Sequence, residues 1–131
     1  MTEYLSIEQV LALHAFQLRR YGGARGLRDR GALEAAVARP AMTFGGEDLY
    51  GDAAAKAAAL MHSLVANHPF VDGNKRVGAH AAILFLAANG LEVLFAPADL
   101  TQVTIALASG RMEAEALAIW LRQHARRRED A

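Results

Sequence analysis

Pro69 and Gly73 interrupt two stretches of helical periodicity and force a sharp corner into the middle of the chain. A proline disfavours helical geometry at the residue before it, so the first helix should end near Asn67 and leave His68 on the exit. Gly73 permits the positive φ that a tight turn often needs. Upstream, Asp52 can cap a helix running through Lys56, Leu60, Met61, Leu64 and Val65. Downstream, Val77, Ala81, Leu84, Phe85 and Ala88 share one helical face until Asn89 and Gly90 stop it. The pattern predicts a helix-loop-helix elbow.

The elbow is chemically dense. Residues 68–76 read His-Pro-Phe-Val-Asp-Gly-Asn-Lys-Arg: a base, a carboxylate, a Gly-Asn corner and two cations. A corner opening a helix presents free backbone N–H groups at the positive end of the helix dipole, where an anion, above all a phosphate, is favoured. A base beside such a cradle suggests phosphoryl or nucleotidyl transfer. Each residue also has a plainer reading. His68 can close a helix C-terminus, Asp72 can cap the next helix, and Gly73 with Asn74 can be an ordinary turn. Arg76 can be a surface side chain, although a guanidinium also grips phosphate oxygens bidentately. Phe70 reads as a core anchor for the loop. His14, His62 and His80 sit among apolar neighbours and read as structural, and His124 reads as surface.

Composition narrows the class. At 131 residues, with 53% hydrophobic and 21% charged residues, the chain reads as one soluble globular domain spanning 1–131. The absence of cysteine removes disulfides, thiolate nucleophiles and zinc-thiolate sites, and agrees with a cytoplasmic protein. The first residues lack the basic and apolar regions of a secretory signal, and the longest apolar run is too short for a bilayer. A formal net charge of zero gives no global field toward nucleic acid or membrane.

The remaining segments read as further helices. Ser6 with Gln9 forms a capping box for a helix through Val10, Leu13 and Leu18. Asp29 can cap a short helix carrying Leu33, Ala36 and Val37. Glycines at 45, 46 and 51 make the segment 41–51 a loop or short hairpin; separately, 91–95 reads as a short extended piece. Pro97 opens a helix through Leu100, Val103 and Leu107, and a last helix runs from about Met112 through Leu117, Trp120 and Leu121. Arg19, Arg20, Arg25, Arg28 and Arg30 surround a glycine-rich turn, and Arg126, Arg127 and Arg128 lie near the C-terminus. They read as a solvated rim with a basic helix end, or as a docking face for an acidic partner. The fold class is all-α.

At the elbow the chain resembles the Fic/Doc family, whose signature is His-x-Phe-x-(Asp/Glu)-Gly-Asn-Gly-Arg-x-x-Arg. His68, Phe70, Asp72, Gly73, Asn74 and Arg76 match in register, while Lys75 replaces the second glycine and Ala79 the second arginine. Both departures are similar to the death-on-curing (Doc) toxin branch, which carries Asn-Lys-Arg there. Leu11-Ala12-Leu13-His14, Arg20-Tyr21-Gly22-Gly23, Leu84-Phe85-Leu86 and Asn89-Gly90 extend the resemblance over most of the chain.

The resemblance implies a Fic/Doc-type helical bundle with a flap, a hairpin or loop, before the motif helix. It implies ATP and Mg²⁺, with His68 as base, Asp72 as metal ligand, and Gly73, Asn74, Lys75 and Arg76 on the nucleotide. In Fic adenylyltransferases the glycine leaves room for the α-phosphate; Lys75 adds bulk and charge there, and Ala79 removes a grip on the outer phosphates. Both changes disfavour the AMP-transfer pose and suit one presenting the γ-phosphate, as in the Doc kinases, whose target is a threonine of elongation factor Tu. The flap residues Phe44, Gly45, Gly46 and Glu47 are then candidates for docking the target by strand addition. A faint echo of the Fic inhibitory pattern at Thr43 and Glu47 is discounted, so control falls to a separate antitoxin. AMP transfer by the same fold, and a catalytically silent nucleotide- or partner-binding module, stay open as alternatives.

Overall fold

The computed structural model describes residues 1–128. Among them are six helices: α1 (Ile7–Tyr21), α2 (Arg30–Ala38), α3 (Ala53–Asn67), α4 (Asn74–Ala88), α5 (Pro97–Ala108) and α6 (Ala114–His124). Two small antiparallel sheets accompany them. β1 (Thr43–Phe44) pairs with β2 (Glu47–Asp48), and β3 (Leu91–Val93) with β4 (Ala125–Arg127).

The helix starts follow local capping. Ser6 and Gln9 exchange both bonds of a capping box at α1. Asp29 accepts from Ala32 N–H at α2, and Asp52 from Ala55 N–H at α3. Asp52 also takes a bidentate grip from Arg122 of α6, at 2.8 and 3.1 Å, which ties the start of α3 to the last helix. That grip comes first among the causes that lower the Asp52 carboxyl pKa.

α3 is the central helix, buried along most of its length from Ala54 to Val65 and packed by α2, α4, α5 and α6. Leu60, Met61, Leu64 and Val65 meet Val77, Ala81, Phe85 and Leu86 of α4 in the core, each fully buried large apolar side chain contributing about 1.5–3 kcal/mol. Gly78 sets how closely the two helices cross. A Cβ there would stand 2.7 Å from Val65 Cγ2, so any side chain would push α4 away from α3. This tight crossing lies one turn behind the elbow and holds it.

Several expectations are corrected here. The buried face of α4 includes Gly78, Ala79, Ala82 and Leu86, whereas Leu84 and Ala88 are exposed. The docked face is rotated because α3 contacts the helix on the side of its smallest residues. Arg126 and Arg127 form no helix end: they lie in β4, where Arg126 pairs with Glu92 of β3 at 2.8 Å. His124 is half-buried, stacked on Trp120 with ring centroids 4.1 Å apart. The short hairpin expected within 41–51 is present, by contrast, at residues 43–48, with Gly45 and Gly46 both at positive φ as a two-residue type I′ turn demands.

Candidate active site

α3 ends as expected at Asn67, and His68 follows in the left-handed conformation, φ 48° and ψ 60°. That conformation costs a non-glycine residue roughly 1–2 kcal/mol, so the surroundings must hold it. Arg28 does so. Its Nε donates to the His68 carbonyl at 2.6 Å and its Nη2 to the Asn67 carbonyl at 2.7 Å, satisfying two of the last acceptors of α3. The exposed imidazole of His68 makes no hydrogen bond within the described residues.

Arg28 belongs to a strap, residues 23–29, that runs antiparallel along the elbow. Arg28 and Asp29 both donate backbone N–H to the Pro69 carbonyl, at 2.7 and 3.0 Å. Val71 N–H reaches the Gly26 carbonyl at 2.9 Å, and Leu27 bridges Phe70. The glycine-rich turn is thus a brace for the site. Its arginines divide: Arg28 braces, Arg30 pairs with Glu34, and Arg19 with Arg25 lines a cleft of about 530 Å³ against α1.

Inside the elbow, Phe70 is buried as an anchor and stacks nearly parallel on His14, ring centroids 3.7 Å apart. His14 Nε2–H donates to the Asp72 carbonyl at 2.8 Å, which fixes the tautomer. Asn74 is buried, and both ends of its amide are engaged on Phe70: Oδ1 accepts from Phe70 N–H and Nδ2 donates to Phe70 C=O. Its side chain thereby clamps the loop.

Asp72 is exposed, and each carboxylate oxygen accepts one backbone N–H, Oδ2 from Ala24 at 3.1 Å and Oδ1 from Gly73 at 2.8 Å. Those two bonds, then Arg76 and Lys75, hold its pKa below the usual carboxylate value. The group is an ionised, hard oxygen donor with lone pairs left over. Gly73 caps α4 at φ 80°; a Cβ there would find ordinary contact distances, so the glycine is required by the backbone angle and not by space. No side chain caps the start of α4, so its first N–H groups remain to meet an anion. Lys75 and Arg76 are exposed beside them. They also border a cleft of about 340 Å³ between α4 and α5, whose wall includes Ala79.

The structure therefore brings His68, Asp72, Gly73, Asn74, Lys75 and Arg76 onto one loop and helix start. The other candidates, Phe44, Gly45, Gly46 and Glu47, form the tip of the β1–β2 hairpin, with Phe44 82% exposed. The hairpin is anchored at its base. Buried Lys56 donates to Asp48 Oδ2 at 3.0 Å and to the Tyr50 carbonyl at 2.6 Å. Arg39 donates to Tyr50 Oη at 2.7 Å and to Ser63 Oγ at 2.9 Å. Sequence reasoning missed Arg28, Arg39, Lys56 and Tyr21, whose ring lies under the Arg76 guanidinium at 4.6 Å. Only Lys56 carried a local signal: a cation at helical spacing on an otherwise apolar stripe.

A model of the Fic/DOC family matches residues 4–86, which contain the strap, the hairpin and the whole elbow. The chain belongs to the Fic/DOC family. A relative called "Toxin Doc", from Mycolicibacterium smegmatis, is 48% identical over 93 residues, 71% of this chain and 69% of the relative. Another, "Protein kinase doc" of Escherichia phage P1, is 32% identical over 120 residues, 92% of this chain and 94% of the relative. Within this Fic/DOC chain no described helix is long and apolar enough to cross a membrane.

Proposed function

We propose that this chain is a single-domain Doc-type toxin, a protein kinase that moves the γ-phosphate of ATP onto a hydroxyl of a target protein. The observation that carries the reading is the exposed pair Lys75 and Arg76 on the uncapped start of α4. Seven residues before Lys75 along the same loop stands His68, its carbonyl held by Arg28 and its imidazole exposed. The names of the two relatives support the same reading.

In this reading the phosphates lie against the backbone N–H groups of Asn74, Lys75 and Arg76. The Arg76 guanidinium holds phosphate oxygens, and Lys75 places a charge where a Fic enzyme has room for the α-phosphate. His68 takes the proton of the acceptor hydroxyl as its oxygen bonds to the γ-phosphorus and the bond to the ADP oxygen breaks. General base catalysis of this kind is worth about 10²–10⁴-fold, the rest coming from positioning and charge stabilisation. Among the described residues no three His, Cys, Asp or Glu side chains gather as a metal cage. Mg²⁺ nevertheless suits Asp72, since it is commonly held by one or two carboxylates together with nucleotide phosphates and water. When bound it neutralises phosphate charge.

The family resemblance supplies the rest of the proposal. The acceptor is a threonine of elongation factor Tu, its modification inhibits translation in the cytoplasm, and a cognate antitoxin restrains the enzyme. The hairpin tip at Phe44, Gly45, Gly46 and Glu47 aligns the acceptor segment. The test is His68→Ala, which should abolish phosphate transfer and growth arrest at unchanged melting temperature. Transfer surviving in that variant would remove His68 as the base.

A further inference from the structure

Tyr21 is the last residue of α1, where the helix is halted by Gly22 at φ 79° with its N–H bonded to the Leu18 carbonyl at 2.7 Å. The halt leaves the phenol ring half exposed over the first turn of α4. There the Arg76 guanidinium carbon sits 4.6 Å from the ring centroid, well inside the range of a cation–π contact. Arg20 lies farther from the same ring, at 5.8 Å. Arg76 itself is exposed and has no carboxylate pair among the salt bridges of the described residues. An arginine so placed would otherwise sample many rotamers, and freezing them on ligand binding weakens affinity.

We infer that Tyr21 is a positioning residue for nucleotide binding: its ring pre-orients the Arg76 guanidinium toward phosphate oxygens. The inference rests on the phosphate role given to Arg76 above. A ring face suits this task, because it holds the cation while leaving the planar edge of the guanidinium, with its N–H donors, free to bond. A carboxylate in the same place would occupy those donors and repel the phosphate. The phenol hydroxyl has no part in the contact, so a phenylalanine should serve equally.

The experiment is calorimetric titration of the folded protein with ATP and Mg²⁺, which needs no protein acceptor. Tyr21→Leu should weaken ATP binding about two- to fivefold, the equivalent of one cation–π contact at an exposed site. Tyr21→Phe should bind as the unmodified chain does. Arg76→Ala should weaken binding by about tenfold or more, and adding Tyr21→Leu to it should change nothing further. Independent losses in the double variant, with Arg76→Ala effective alone, would overturn the role of Tyr21 and spare that of Arg76. Loss in Tyr21→Phe equal to that in Tyr21→Leu would assign the effect to the hydroxyl and overturn the ring's role. An inert Arg76→Ala would overturn the phosphate role of Arg76 and this inference with it.

Discussion

Arg28 and His68 stand forty residues apart in sequence, yet the Arg28 guanidinium closes on the His68 carbonyl at 2.6 Å and on its neighbour's at 2.7 Å. The contact lets a non-glycine residue keep a left-handed backbone at the point where the proposed base emerges. Arg28→Met keeps the aliphatic stem and removes both donors. It should lower stability by about 1–3 kcal/mol, read from the urea midpoint, and lower transfer further than that loss explains. Transfer unchanged in a destabilised variant would reduce Arg28 to a helix cap.

His14 supports the same loop from inside, by stacking on Phe70 and bonding the Asp72 carbonyl. His14→Leu fills similar space without a donor, leaving that carbonyl with one partner fewer. The expected cost is about 1–3 kcal/mol, with weaker ATP binding because the start of α4 is no longer fixed. Thermal melts and ATP titration on one sample separate the two effects.

What could be read in the chain was local. Ser6, Asp29 and Asp52 announced helix starts because a cap acts within three residues, and Pro69 with Gly73 announced the elbow because each restricts its own backbone. The six candidate residues of the elbow fall within the single stretch 68–76, so their grouping was legible as well. The parts that escaped are long-range. β4 exists only because Leu91 finds Arg127, and Arg28 was one arginine among five until the fold laid it across His68. Tyr21 and Arg76 meet only where α1 ends over α4. The faces of α4 were misjudged at Leu84 because neighbouring helices, not periodicity alone, choose which side is buried.

His62 offers a pH test of the hairpin anchor. Its Nδ1 accepts from Arg39 Nη1 at 3.0 Å, so the ring is neutral with its proton on Nε2. Burial first, and then the Arg39 charge, hold its pKa below the ordinary 6.5. The unfolded chain therefore binds this proton more readily than the folded one. Stability present above that ordinary value should be lost as pH falls through the lower folded one. Melting temperatures taken between about pH 7 and pH 5 should fall more steeply for the unmodified chain than for His62→Gln. Parallel curves would show that His62 does not couple to folding.

Lys75→Gly restores the glycine of the Fic signature and clears the space assigned to the α-phosphate. Phosphate transfer should fall, and some AMP transfer should emerge, limited by Ala79 where the second arginine of the signature is missing. Intact mass of the acceptor after reaction with ATP distinguishes the two products. Undiminished phosphate transfer would mean that Lys75 does not set the nucleotide pose.

The group moved in the proposed reaction is the terminal phosphate of ATP. Two parallel reactions test it, each with the purified chain, Mg²⁺ and a dialysed bacterial lysate, one with ATP labelled at the γ-phosphate and one at the α-phosphate. Terminal-phosphate transfer predicts a labelled protein only in the γ reaction, absent with His68→Ala. A protein labelled only in the α reaction would contradict it and establish AMP transfer, and label in neither, with ATP bound, would leave a binding module in its place.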